Sequence, residues 1–116
     1  MEAIKKRRRM REQAIREALS WAESLPFKVT AILVGSYARG DFNLWSDVDV
    51  ILISEEFKGG PIERLKALDI PQGFQVIPLT PREFERLLAR GDMLAAEAVK
   101  QGIILRNDLN LIVGHP

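Results

Sequence analysis

Two apolar runs, at residues 29–34 and 48–53, constrain this chain more than any other feature. Val29-Thr30-Ala31-Ile32-Leu33-Val34 and the run through Val48, Val50, Ile51, Leu52 and Ile53 are short, β-branched and nearly continuous in apolar character. That pattern reads as buried strands rather than amphipathic helices. The first run stops at Gly35-Ser36, ten residues follow, and Asp47-Val48-Asp49 opens the second. Each boundary solves one side of a single chemical problem. The first offers groups that hold a polyphosphate, and the second offers groups that hold the divalent cation a polyphosphate carries.

At the first boundary, Gly35 permits both a sharp turn and close approach to the backbone, because it lacks a Cβ. Ser36 is placed as an N-cap ahead of Tyr37-Ala38-Arg39, with its hydroxyl as a further donor. A helix starting there points unpaired N–H groups toward the loop, the usual basis of an anion site. Arg39 adds a charged fork for phosphate oxygens. At the second boundary, Asp47 and Asp49 are two residues apart on a strand. Their side chains therefore share a face, with Cα atoms about 6–7 Å apart. Two such carboxylates repel one another unless solvated or bridged, and Mg²⁺ suits one or two carboxylates plus phosphate oxygens. Either half alone is a common turn or a solvated strand end. The two together, each following or opening a strand, point to chemistry.

This wording, Gly-Ser, ten residues and Asp-x-Asp between two apolar strands, resembles the nucleotidyltransferases of the DNA polymerase beta superfamily. Gly35-Ser36-Tyr37-Ala38-Arg39-Gly40-Asp41 resembles their minimal archaeal and bacterial members. The motif covers residues 35–49, and the wider resemblance runs from about 14 to 106 as helix, strand, helix, strand, helix, strand, helix. The resemblance implies an α+β nucleotidyltransferase fold, a small mixed sheet flanked by helices. It implies that Gly35 and Ser36 bind the triphosphate of a nucleotide, foremost ATP, and that Asp47 and Asp49 hold Mg²⁺ or Mn²⁺. It implies attack of a hydroxyl on the α-phosphorus with release of pyrophosphate. Such members are often encoded with a helical HEPN-type partner, and some act as antitoxins that adenylylate it.

One position departs from the family pattern. The next strand supplies a third carboxylate in the family, but here it reads Phe74-Gln75-Val76-Ile77. Gln75 can offer a carbonyl to a cation but is no base, and general-base help is worth roughly 10²–10⁴ in rate. Asp69 is the nearest upstream acid that could substitute. Two functions therefore compete: a transferase acting on a small molecule, RNA or protein hydroxyl, and a nucleotide-binding antitoxin or regulatory subunit with weak or no chemistry.

The remaining sequence sets the frame. A chain of 116 residues, 47% hydrophobic, fits one domain with one core. With no cysteine, disulfides, thiolate metal sites and a cysteine nucleophile are excluded, which suits a reducing cytoplasm. No apolar run reaches membrane-spanning length. Net charge is +1, yet the first twenty residues carry seven basic and three acidic side chains. Within residues 1–11, Lys5-Lys6-Arg7-Arg8-Arg9 and Arg11 read as a solvated, frayed helix start. Contact with RNA is the weaker alternative, since no aromatic residue interleaves the block. So short a chain leaves little surface for an acceptor pocket, which favours a partner protein or self-association.

Residues 3–24 read as an amphipathic helix ended by Pro26. Phe42, Leu44 and Trp45 are expected to pack their loop on the core, or Trp45 to line a nucleobase pocket. Residues 61–69 read as a short helix through Ile62, Leu65 and Leu68, and 74–79 as a third strand. Thr80-Pro81-Arg82-Glu83 spells a capping box that leads into Phe84, Leu87 and Leu88. Asp92 caps a further helix ended by Gly102, and Ile103-Ile104-Leu105 reads as a last strand. The tail 107–116 carries Leu109, Leu111, Ile112 and Val113, which either fold back or meet a partner. His115 reads as a surface residue.

Overall fold

The capping signals and apolar periods resolve into nine elements in a computed structural model that describes residues 1–111. Ile112, Val113 and His115 lie outside the described residues. The elements are α1 (Glu2–Ser24), β1 (Thr30–Val34), α2 (Gly35–Arg39), β2 (Val48–Ile53), α3 (Pro61–Lys66), β3 (Phe74–Leu79), α4 (Pro81–Ala89), α5 (Met93–Gln101) and β4 (Ile103–Asn107). The strands form one mixed sheet in the order β3-β2-β1-β4. β1 pairs antiparallel with both β2 and β4, while β2 and β3 run parallel and are joined by a crossover through α3. The α+β fold expected from the sequence is the fold observed. The seven-element order is followed by α5 and β4, the helix after Asp92 and the last strand expected at 103–105, and β4 pairs with the free edge of β1.

Alternation along β1 and β2 splits the core in two. Ala31, Leu33, Val48, Val50 and Leu52 face α1, whose Ala14, Ala18, Trp21 and Ala22 form the buried stripe. Ile32, Val34, Ile51 and Ile53 face the opposite way, toward Phe84 of α4 and Ala95 and Ala98 of α5. Both central strands are covered on both faces, which is why their sequence is almost continuously apolar. Leu109 and Leu111 pack against the second cluster, so the described part of the tail folds back.

Helix ends follow their sequence cues closely. The Thr80 hydroxyl accepts from the Glu83 N–H, and the Glu83 carboxylate accepts from the Thr80 N–H, completing the capping box of α4. The Asp92 carboxylate accepts from the Ala95 N–H at the start of α5. At the end of α1, Arg106 donates to the carbonyls of Ala22, Leu25 and Phe27, satisfying groups the helix leaves open.

Two local expectations are corrected. α3 stops at Lys66 rather than 69, because the N–H groups of Ala67 and Leu68 turn back to the carbonyls of Arg64 and Leu65 and tighten the last turn. Ile62 is 67% exposed and contributes nothing to the core. The inward position belongs instead to Arg64. Its guanidinium donates to the Gly59 and Pro78 carbonyls and forms a two-pronged pair with Glu83.

Candidate active site

Sheet register assembles the site. Val34, the last residue of β1, pairs with Asp49 of β2, and Asp49 pairs in turn with Gln75 of β3. The Gly35 turn therefore begins directly beside the Asp49 carboxylate. Gly35 has φ +78°, a backbone conformation that side chains disfavour. A Cβ at this position would lie 2.3 Å from Asp49 Oδ2. Both conditions require glycine, and the second comes from bringing the turn and the carboxylate together.

Asp49 lies on the sheet face covered by α4 and α5, and Asp47 immediately precedes β2. Oδ1 of Asp49 is buried and has no hydrogen-bond partner. Burial, then the charges of Asp47 and Glu97, push the Asp49 carboxyl above the usual carboxylate range, against a weaker pull from Arg39. A buried, unpartnered carboxylate oxygen in a crowd of negative charge is a poor structural element and a good cation ligand. Among the described residues no set of three or more His, Cys, Asp or Glu side chains converges on a metal position. A pair of carboxylates such as Asp47 and Asp49 suits a cation that completes its shell with phosphate and water.

Ser36 is not the N-cap. α2 begins at Gly35, with Val34 in the cap position and no side-chain cap. Ser36 is instead inside the first turn, and its carbonyl accepts from the N–H of Gly40, which closes the helix at φ +95°. The Gly35 N–H donates to Glu97 Oε1 at 2.8 Å. Arg39 Nη1 donates to both oxygens of the same carboxylate, at 3.0 and 3.1 Å, and Arg39 Nε donates to Asp41. Glu97 was not legible in the sequence as part of a site, because it lies 62 positions from Gly35 on the inward side of α5.

The loop after Gly40 divides. Phe42 is buried and stacks on Tyr37. Leu44 and Trp45 are 73% and 90% exposed, so the expected packing holds for Phe42 alone. The cause is a local turn in which the Asn43 side chain accepts from the Trp45 N–H and Ser46 Oγ accepts from the Asn43 N–H. Residues 44 and 45 are held at its tip. Asp69 is not at the site. Its carbonyl accepts from Trp21 Nε1 on the α1 face, whereas Asp49 faces α5. Gln75 is, as expected, the residue beside Asp49 on β3, and it is exposed.

The basic block serves α2. Arg11 donates to the carbonyls of Tyr37 and Ala38, and Arg7 to those of Gly40 and Phe42, with its guanidinium over the Phe42 ring. These contacts fix the C-terminal end of α2, where open carbonyls favour cations. Lys5, Lys6, Arg8 and Arg9 are exposed. No helix among the described residues is long and apolar enough to cross a membrane.

Comparison with known proteins supports what the geometry indicates. No curated protein sequence matches the chain. A crystal structure of a candidate nucleotidyltransferase from Sulfolobus solfataricus matches with a TM-score of 0.54 and 24% identity, over 90% of this chain and 86% of that one. At that identity the likeness establishes the fold. The profile of the nucleotidyltransferase domain matches residues 12–97, which include the Gly35 turn, both aspartates and Glu97. With that match spanning most of its length, the chain belongs to the nucleotidyltransferase domain family.

Proposed function

We propose that this protein transfers a nucleoside monophosphate, AMP from ATP in the first instance, to a hydroxyl acceptor with the help of Mg²⁺ or Mn²⁺. The reading rests on the pairing of Val34 with Asp49, which sets the Gly35 turn against a carboxylate whose Oδ1 is buried and unpartnered. Asp47 and Asp49 would hold the cation. The Gly35 N–H, Ser36 and Arg39 would bind and orient the phosphates. Bound there, the cation offsets charge that builds on the α-phosphoryl oxygens and the leaving pyrophosphate. In the transfer, the acceptor oxygen forms a bond to the α-phosphorus and the bond to the β-phosphate bridging oxygen breaks. Pyrophosphate leaves with that electron pair, and the hydroxyl proton passes to a base or to water. Positioning and electrostatics carry most of such a reaction.

A second reading is favoured by Gln75. Its place beside Asp49 puts a neutral amide where a carboxylate would draw the acceptor proton. A domain of this kind would bind Mg²⁺–nucleotide and act mainly by occupying a partner, as an antitoxin or regulatory subunit. In either case the acceptor surface comes from elsewhere: a HEPN-type helical protein, a second copy of the chain, or an RNA. The experiment is incubation of the full chain with labelled ATP, Mg²⁺ or Mn²⁺ and a candidate partner. Label on the partner supports transfer, and saturable binding without label supports the regulatory reading. Mg²⁺–ATP binding by the Asp47→Asn, Asp49→Asn double variant as tight as the parent's would refute both.

A further inference from the structure

Two of the donors expected to meet phosphate, the Gly35 N–H and the Arg39 guanidinium, are already engaged. One carboxylate, that of Glu97, takes the Gly35 N–H at 2.8 Å and binds Arg39 Nη1 through both oxygens, at 3.0 and 3.1 Å. Glu97 is well shielded, with 14% of its side chain exposed against 38% for Arg39. It is also held among like charges, since it is one of the two acids that crowd Asp49. An acid in that position is retained only by its donors. A single N–H cannot serve a phosphate oxygen and a carboxylate oxygen equally, and an added phosphate would bring a fourth negative group to the same turn.

We infer that Glu97 is an intramolecular competitor for the triphosphate, holding the Gly35 and Arg39 donors with its own carboxylate until a phosphate chain takes them. The inference rests on the preceding reading of the Gly35–Arg39 turn as the phosphate site and adds a determinant of its affinity. Releasing Glu97 costs a charge-assisted contact. A lone orthophosphate has few compensating contacts, whereas a polyphosphate arriving with Mg²⁺ adds the Asp47–Asp49 pair. Glu97 thus sets a threshold for occupying the turn, one that a cation-loaded polyphosphate has the contacts to pass and a single phosphate does not. The opposite role is equally specific: Glu97 as a positioning residue that holds Arg39 ready for the ligand. The two roles predict opposite signs.

The test is titration of the full chain with Mg²⁺–tripolyphosphate, followed at the Gly35 amide and at the side-chain carboxyl carbon of Glu97 by NMR. Competition predicts that both resonances move together, with the same midpoint. It also predicts that Glu97→Gln, which keeps an acceptor for the Gly35 N–H but not the charge, lowers the Kd on the order of tenfold. The same factor is expected for orthophosphate, since either ligand displaces the same carboxylate. A Glu97 resonance that stays fixed while the Gly35 amide saturates overturns the inference. So does a Glu97→Gln Kd equal to or above the parent's. Because the parent titration needs no variant, a misfolded Glu97→Gln leaves the inference testable. Saturable binding that leaves the Gly35 amide unmoved overturns instead the assignment of the turn to phosphate.

Discussion

Two carboxylates on the same sheet-and-helix layer are treated in opposite ways. Glu83, at the start of α4, accepts from the Thr80 N–H and from both terminal nitrogens of the buried Arg64, which hold its carboxyl down to about 2. Asp49, at the start of β2, has a buried oxygen with no partner, and burial with two like charges pushes its carboxyl up. Wherever this fold needs a polar group only for architecture, it satisfies it: Arg64, Arg106, Arg7 and Arg11 all end on carbonyls. The unsatisfied group lies beside the glycine whose φ and clearance no other residue accepts. Unmet electrostatic demand beside a turn that only glycine can make is the observation on which the proposed site rests.

The comparison breaks most visibly if Asp49 proves structural. Asp49→Asn should lower nucleotide transfer by about 10²-fold or more, since removing a cation ligand forfeits several kcal/mol of charge stabilisation. The same change should leave the fold intact and raise the thermal midpoint at neutral pH. Its benefit should shrink as pH falls, because a carboxyl with a raised folded pKa starts to weaken the fold as pH climbs past the ordinary carboxylate range and does so fully above its folded pKa. Thermal unfolding across a pH series checks the sign, and a destabilised Asp49→Asn at pH 7 would remove the contrast.

Gln75→Asp should sharpen it, adding a carboxylate beside Asp49. Turnover should rise about tenfold or more with Mg²⁺ present, toward the range general-base help supplies, while stability without Mg²⁺ should fall. Steady-state transfer rates and melting curves with and without Mg²⁺ measure the two effects. No gain in turnover would mean the acceptor proton leaves by another route.

On the satisfied side, Arg64→Met should cost about 2–3 kcal/mol in denaturant unfolding, since Glu83 and the Pro78 carbonyl both lose a buried donor. Binding of Mg²⁺–nucleotide by the folded fraction should be unchanged. The smallest effect expected is the acid limb of stability. The folded pKa of Glu83 is depressed, so its contribution is complete above the ordinary carboxylate range and fades as pH falls toward about 2. Glu83→Gln should flatten that limb, a change visible in urea midpoints between roughly pH 5 and 2; an unchanged limb would show that Glu83 is screened by solvent.

What sequence alone determined was whatever depends on near neighbours along the chain. The β-branched runs of β1 and β2, the capping box at Thr80 and Glu83, the Asp92 cap and the Asp-x-Asp spacing are all set within a few residues. A turn, a cap or a shared strand face needs no distant partner. Ser36 marks the edge of that legibility. A serine after a strand suits an N-cap, but α2 starts at Gly35, and only the register with Asp49 shows why no Cβ fits there. Leu44, Trp45 and Ile62 went the same way, since apolar character does not say which side of a turn faces the core. Tertiary structure alone decided that Glu97 meets Gly35 and Arg39, that Asp69 belongs to the other face, and that the basic start of α1 secures the end of α2. These contacts join residues far apart in the chain. Their existence depends on which faces of the sheet α1 and α5 cover, a choice made by burying both sides of two apolar strands.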